Sequence, residues 1–81
     1  MPPLDLTVLA QIAVDVAKQE EPSLEFIGIT SAEGGRRYVE LIFASMEHRM
    51  PPRVMIGIDR DDSAATVTAH LRTRIRQSLA P

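Results

Sequence analysis

The sequence predicts a single α+β domain over residues 1–81, in the order α-β-β-β-α, with a three-stranded antiparallel sheet carrying both helices on one face. Three observations predict it. Apolar residues recur at helical spacing near both ends of the chain. Between them lie three short runs rich in β-branched and aromatic residues. Gly34-Gly35 and Pro51-Pro52 separate those runs with residues that favour turns and stiff loops.

The first helix is expected from about Leu6 to Gln19. Asp5 precedes it as N-cap, because its carboxylate can accept the free amide hydrogens of the first turn. Leu4 and Leu9 occupy the two positions of a hydrophobic staple, and Pro22 ends the helix. Leu24 to Ala32 reads as the first strand. Gly34-Gly35 then marks a tight hairpin, since both positions can take positive φ. Arg36 to Ser45 is the second strand, residues 46–52 a loop, and Arg53 to Asp59 the third strand. Asp61, Asp62 and Ser63 offer N-caps for a second helix from Ala64 to Leu79.

A two-residue turn sets the register. It places Glu33 opposite Arg36, Gly28 opposite Leu41 and Phe26 opposite Phe43. The core face is then Leu24, Phe26, Gly28 and Thr30 with Val39, Leu41 and Phe43, and Val54, Ile56 and Ile58 join by alternation. The open face holds Glu25, Ile27, Ile29, Ser31, Tyr38, Glu40, Ile42, Ala44, Met55 and Gly57, with Ile27 opposing Ile42. A three-residue turn would exchange the faces of the first strand relative to the second.

Composition narrows the function. The absence of cysteine excludes disulfides, thiolate metal sites, iron–sulfur clusters and a thiol nucleophile. Apolar contacts must therefore carry the stability of so small a domain. With only Phe26, Phe43 and Tyr38 as aromatics, the core is built from aliphatic side chains. No apolar run approaches the ~20 residues that span a bilayer. Met1 to Asp5 lacks the basic start of a secretion signal, so a cytoplasmic location is the expectation. Charge is uneven: residues 1–33 carry six acids against Lys18, a net −5, and residues 34–81 carry eight arginines against five acids, a net +3. Such asymmetry can steer a charged partner.

Helix 1 has more apolar surface than one sheet can cover. At about 100° per residue, Val8, Leu9, Ile12, Ala13 and Val16 form one stripe, while Leu6, Ala10, Val14 and Ala17 form a second. Only Thr7, Gln11, Asp15 and Lys18 make a polar strip. Helix 2 shows no such excess, with one stripe of Ala64, Val67, Leu71, Ile75 and Leu79. These surfaces lead to the expectation of a non-catalytic interaction module. It would pair with itself as a homodimer, or recognise a protein partner or small ligand. The expected contacts are Leu6, Ala10, Val14 and Ala17 on helix 1, and Ile27, Tyr38, Ile42 and Met55 on the open sheet face. Arg36, Glu40 and Arg53 would ring the sheet patch.

Other chemistry finds weaker support. Asp59-Arg60-Asp61-Asp62 could attract a hard cation, but acids just before a helix also serve as caps, and no metal is called for. Glu47-His48 sits in a loop without a nucleophile nearby, although Met, Arg, His and Pro-Pro together suit a recognition loop. His70 falls on the exposed side of helix 2. Gly34-Gly35 precedes a strand and not a helix, so it is a turn and no phosphate cradle. No nucleophile–base pair or cofactor motif occurs, so an enzyme and a bound cofactor are not expected, unless a catalytic site forms only between subunits. The alternative function is nucleic-acid binding through Arg36, Arg37, Arg49, Arg53, Arg72, Arg74 and Arg76. The element order and length resemble those of the double-stranded-RNA-binding domain. That resemblance is one of topology: helix 1 is acidic here, and Asp61 and Asp62 stand where that family's lysines grip phosphates, so no binding residue carries over.

Overall fold

The computed structural model describes residues 3–31, 37–45 and 53–79. The chain folds as α1 (Leu6–Glu20), β1 (Leu24–Ser31), β2 (Tyr38–Ser45), β3 (Arg53–Asp59) and α2 (Ala64–Leu79). The strands form one antiparallel sheet in the order β1-β2-β3. The Gly34-Gly35 turn with its Glu33–Arg36 pair, and the 46–52 loop with His48, lie outside the described residues.

Local chemistry sets the helix ends. Asp5 Oδ1 accepts the Thr7 N–H at 2.8 Å, as an N-cap should. Glu21 donates its N–H to the Ala17 carbonyl at 2.8 Å and closes the last turn of α1. Glu21 Oε1 then accepts from the Ser23 hydroxyl at 2.7 Å and the Ser23 N–H at 3.2 Å, so the chain reverses within Pro22-Ser23. These two bonds, the hydroxyl first, hold the Glu21 carboxyl below its ordinary pKa. At α2 it is Ser63 that caps: its Oγ accepts the Thr66 N–H at 3.1 Å. Asp61 and Asp62, offered as alternatives by the sequence, belong to the preceding turn.

α1 packs on β1, α2 on β3, and the helices lie side by side on one face of the sheet. Both start at the same end. The Leu4 N–H donates to the Arg60 carbonyl and Arg60 Nε donates back to the Leu4 carbonyl, both at 2.8 Å. This ties the entrance of α1 to the end of β3, where α2 begins. At the other end Arg72 donates to Gln19 Oε1 at 2.9 Å, and Arg76 Nε lies 2.7 Å from Glu20 Oε1. The helices are therefore parallel. Between them and the sheet lies a fully apolar core that includes Leu9, Val16, Leu41, Phe43, Ile56, Leu71 and Ile75. Phe26 meets Phe43 edge to face, with ring centroids 5.6 Å apart.

The register departs from expectation in the middle of β1. Phe26 opposes Phe43 as expected, but Gly28 opposes Ile42 and not Leu41, and Ile29 opposes Leu41. A β-bulge at Ile27-Gly28 inserts one residue, so the alternation of β1 reverses beyond it. Ile29, expected on the open face, packs against the core. Thr30, expected in the core, sits opposite Glu40, and Ser31 opposite Val39. The Ile27–Ile42 pair is replaced by Gly28–Ile42. Along α1 two residues also exchange roles. Val8, expected in the core, is exposed, and Ala17, expected on the outer stripe, is 1% exposed. They sit on opposite margins of the stripe centred on Leu9, Ala13 and Val16, and the helix is rolled so that the Ala17 margin is covered. On α2, Val67, Leu71 and Ile75 are buried while Ala64 is exposed.

Candidate interaction surfaces

Three surfaces flank this core. The first is the side of the molecule where β1 forms the sheet edge. Here the second stripe of α1 meets the start of β1. Val14 and Ala17 line a groove of about 360 Å³ with Leu24, Phe26 and Pro22, and Lys18 and Glu25 stand at its rim. Leu6 (45% exposed) and Val14 (39%) remain open to solvent, with the smaller Ala10 half-buried between them.

The second surface is the face of the sheet turned away from the helices. Its central row runs Gly28–Ile42–Met55, with Thr30–Glu40–Gly57 on one side and Ala44–Arg53 on the other. Tyr38, Met55 and the bulged Ile27 are each about half exposed, while Ile42 is half-buried between its neighbours. A Cβ added at Gly28 or Gly57 would meet no atom within 4 Å, so both glycines are open to this surface or its rim.

The third surface is the opposite sheet edge. A groove of about 350 Å³ between β3 and α2 is lined by Tyr38, Val39, Gly57, Ile58, Val67 and His70 among others. One imidazole nitrogen of His70, Nε2, lies 3.2 Å from the Gly57 carbonyl, on β3 itself. Sequence reasoning placed His70 on a solvent face and missed this contact, which only the packing of α2 on β3 creates.

The arginines are largely committed to neighbours. Arg37 grips Asp59 through two bonds, at 3.0 and 2.9 Å, and its Nε lies 3.3 Å from Asp61. Its guanidinium also lies 5.1 Å from the centre of the Tyr38 ring, within cation–π range. The Arg37 bonds first, and the Asp61 N–H second, hold the Asp59 carboxyl below its ordinary pKa, while Asp59 raises that of Arg37. A guanidinium thus occupies the place a cation would take beside Asp59 and Asp61, and the described residues contain no group of three or more histidines and acids arranged for a metal ion. Arg72 and Arg76 converge on Glu20, whose side chain is only 13% exposed. Glu20 Oε1 is shielded from solvent and meets both guanidinium groups by charge contact, while Oε2 accepts a long hydrogen bond from Arg76 Nη2 at 3.5 Å. Arg53 and Arg74 are exposed, and Arg36 lies outside the described residues.

The structure thus brings Leu6, Ala10 and Val14 together on one flank, and Tyr38, Ile42, Met55 and Arg53 together on another, with Ile27 in the bulge and Ala17 withdrawn into the core. The groove between α1 and β1 was not foreseen, because it depends on which margin of α1 turns outward. Among the described residues, no helix is long and apolar enough to cross a membrane. Comparison with known proteins finds no match, whether among family models, curated proteins or solved structures.

Proposed function

We propose that this chain is a non-catalytic interaction module whose main partner is a second copy of itself. The observation that carries the reading is the exposure of large apolar side chains: Leu6, Val8, Val14, Ile27, Tyr38 and Met55 are between 39% and 51% exposed. Fully burying such a side chain is worth ~1.5–3 kcal/mol. Half of that is forgone at each of these positions, in a domain whose total stability is on the order of 5 kcal/mol. A partner recovers it. Nucleic-acid binding has less support, because Arg37, Arg72 and Arg76 already face Asp59, Asp61 and Glu20.

Sedimentation equilibrium tests the proposal. The expected result is a species of twice the 9.0 kDa chain mass at high micromolar concentration, dissociating on dilution. A 9.0 kDa species throughout overturns it. Ionic strength separates the two functions. Association by apolar burial survives added salt, whereas arginine–phosphate binding weakens steeply, because releasing counterions into a saltier solution gains less entropy.

A further inference from the structure

Resting on that reading, we propose how the two copies meet: β1 pairs antiparallel with the β1 of its partner, extending the sheet to six strands, while the outer flanks of the two α1 helices pack together beneath the junction.

The two sheet edges differ. β3 presents Arg53 at its start, and the His70 ring sits against its Gly57 carbonyl, so a charge and a side chain already occupy that edge. β1 reads Leu-Glu-Phe-Ile-Gly-Ile-Thr-Ser, without Lys, Arg or Pro, and it has no described strand on its outer side. Free edges of this composition invite a further strand, and natural proteins blunt them with charges, prolines or bulges. The Ile27-Gly28 bulge is the one such device on β1 besides Glu25.

The second observation is independent. The apolar flank of α1 points past this same edge, since Val14 and Ala17 share their groove with Leu24 and Phe26 of β1. Edge and flank thus form one continuous lateral surface. It is also self-complementary. Leu6, Ala10 and Val14 read large, small, large at equal spacing. A twofold axis at Ala10 sets each Leu6 on the partner's Val14 and lets the helices approach at the small pair.

One axis serves both layers. Ala10 lies ten residues before the end of α1, a height of about 15 Å at the helical rise. Gly28 lies four residues after the start of β1, about 13 Å at the strand rise. An axis perpendicular to the sheet therefore passes through the middle of the strand and the middle of the flank together. Centred on Gly28, it places Glu25 opposite Ser31 of the partner subunit, so no like charges meet across the strand pair.

Area favours this surface over the open sheet face. Three strands at ~4.8 Å spacing and ~25 Å length give about 350 Å² in projection. The lateral surface has the same length but spans a strand, the ~10 Å gap between layers and half a helix, and reaches about 500 Å². With side-chain relief this approaches the ~800 Å² per partner of a stable complex, and strand pairing adds main-chain hydrogen bonds.

The test compares the wild type with V14E on the flank and M55E on the open sheet face, by sedimentation equilibrium and by hydrogen exchange at β1 amides. Circular dichroism checks that each variant is folded, and L6E replaces V14E if V14E is not. Expected is a wild-type dimer in which alternate β1 amides are protected, dimerisation weakened more than roughly 100-fold in V14E with loss of that protection, and a change within about threefold in M55E. A wild type that is monomeric at high micromolar concentration overturns self-association and this geometry together. A dimer that M55E dissociates and V14E leaves intact overturns the edge geometry alone. A V14E monomer whose β1 amides exchange as in the wild type overturns strand pairing.

Discussion

The bulge in β1 makes a quantitative claim about two isoleucines that are two residues apart. Without it, Ile27 and Ile29 would both face solvent, and truncating either would cost the same. With it, Ile29 lies opposite the fully buried Leu41 and packs on the core, while Ile27 is 50% exposed. Changing isoleucine to alanine removes three carbons, each worth ~0.8 kcal/mol when buried. For Ile29→Ala that gives about 2 kcal/mol, toward the low end for core truncations because the site is only half enclosed. For Ile27→Ala the remaining half of the contact gives about 1 kcal/mol or less. Urea unfolding followed by circular dichroism reads the difference. It should be run at low micromolar concentration, where association contributes little to apparent stability. At a slope near 1 kcal/mol/M, expected for a small domain, the midpoint falls by about 2 M for Ile29→Ala and by about 1 M or less for Ile27→Ala. Equal shifts, or a larger one for Ile27→Ala, would refute the bulged register.

Other positions give simpler tests. Asp5→Ala removes the cap that holds the Thr7 amide and is expected to cost about 1 kcal/mol in the same assay. Glu20→Gln weakens the clamp with Arg72 and Arg76 and should cost up to about 1 kcal/mol; a double-mutant cycle with Arg76→Ala should show the two losses to be less than additive. Asp59 titrates lower in the folded chain than unfolded, so its pairing with Arg37 stabilises fully above the unfolded value of about 3.9 and is lost as pH falls through the folded value. Thermal midpoints should therefore drop more steeply below pH 4 in the wild type than in Asp59→Asn, and parallel curves would contradict the pairing. Gly57→Ala adds a methyl group into open space at a φ outside the left-handed region, and should leave stability unchanged or raise it by about 0.5 kcal/mol.

The element order, the helix starts and the whole of β3 were legible because each is written in local chemistry: a capping carboxylate, a strand of strict alternation, a serine before an apolar stripe. The phase of β1 was not. Ile27 and Ile29 flank Gly28, and an apolar residue on either side of a glycine leaves the two-residue period without a direction. Gly28 itself was the available signal, since glycine inside a strand marks bulges. The roll of α1 was equally hidden. Val8 and Ala17 are both apolar, and only the placement of α1 over β1 decides which of them is covered. Likewise Arg37 is read from sequence as a free cation because Asp59, its partner, stands twenty-two residues away.

The parallel run of α1 and α2 has an electrostatic consequence. Each helix carries the equivalent of about half a positive charge at its start and half a negative charge at its end. Aligned neighbours add these, so one end of the molecule gathers close to a full positive charge and the other a full negative one, an arrangement that antiparallel helices would cancel. The side chains answer it. Asp5, Asp61 and Asp62 surround the two helix starts, and Lys18, Arg72 and Arg76 gather near the two ends. Within the cluster that resembles a cation site, Arg37 balances Asp59 and shares Asp61, and Asp62 is left to offset the aligned backbones. Replacing Asp5 and Asp62 by asparagine would leave that end of the chain carrying an unbalanced field.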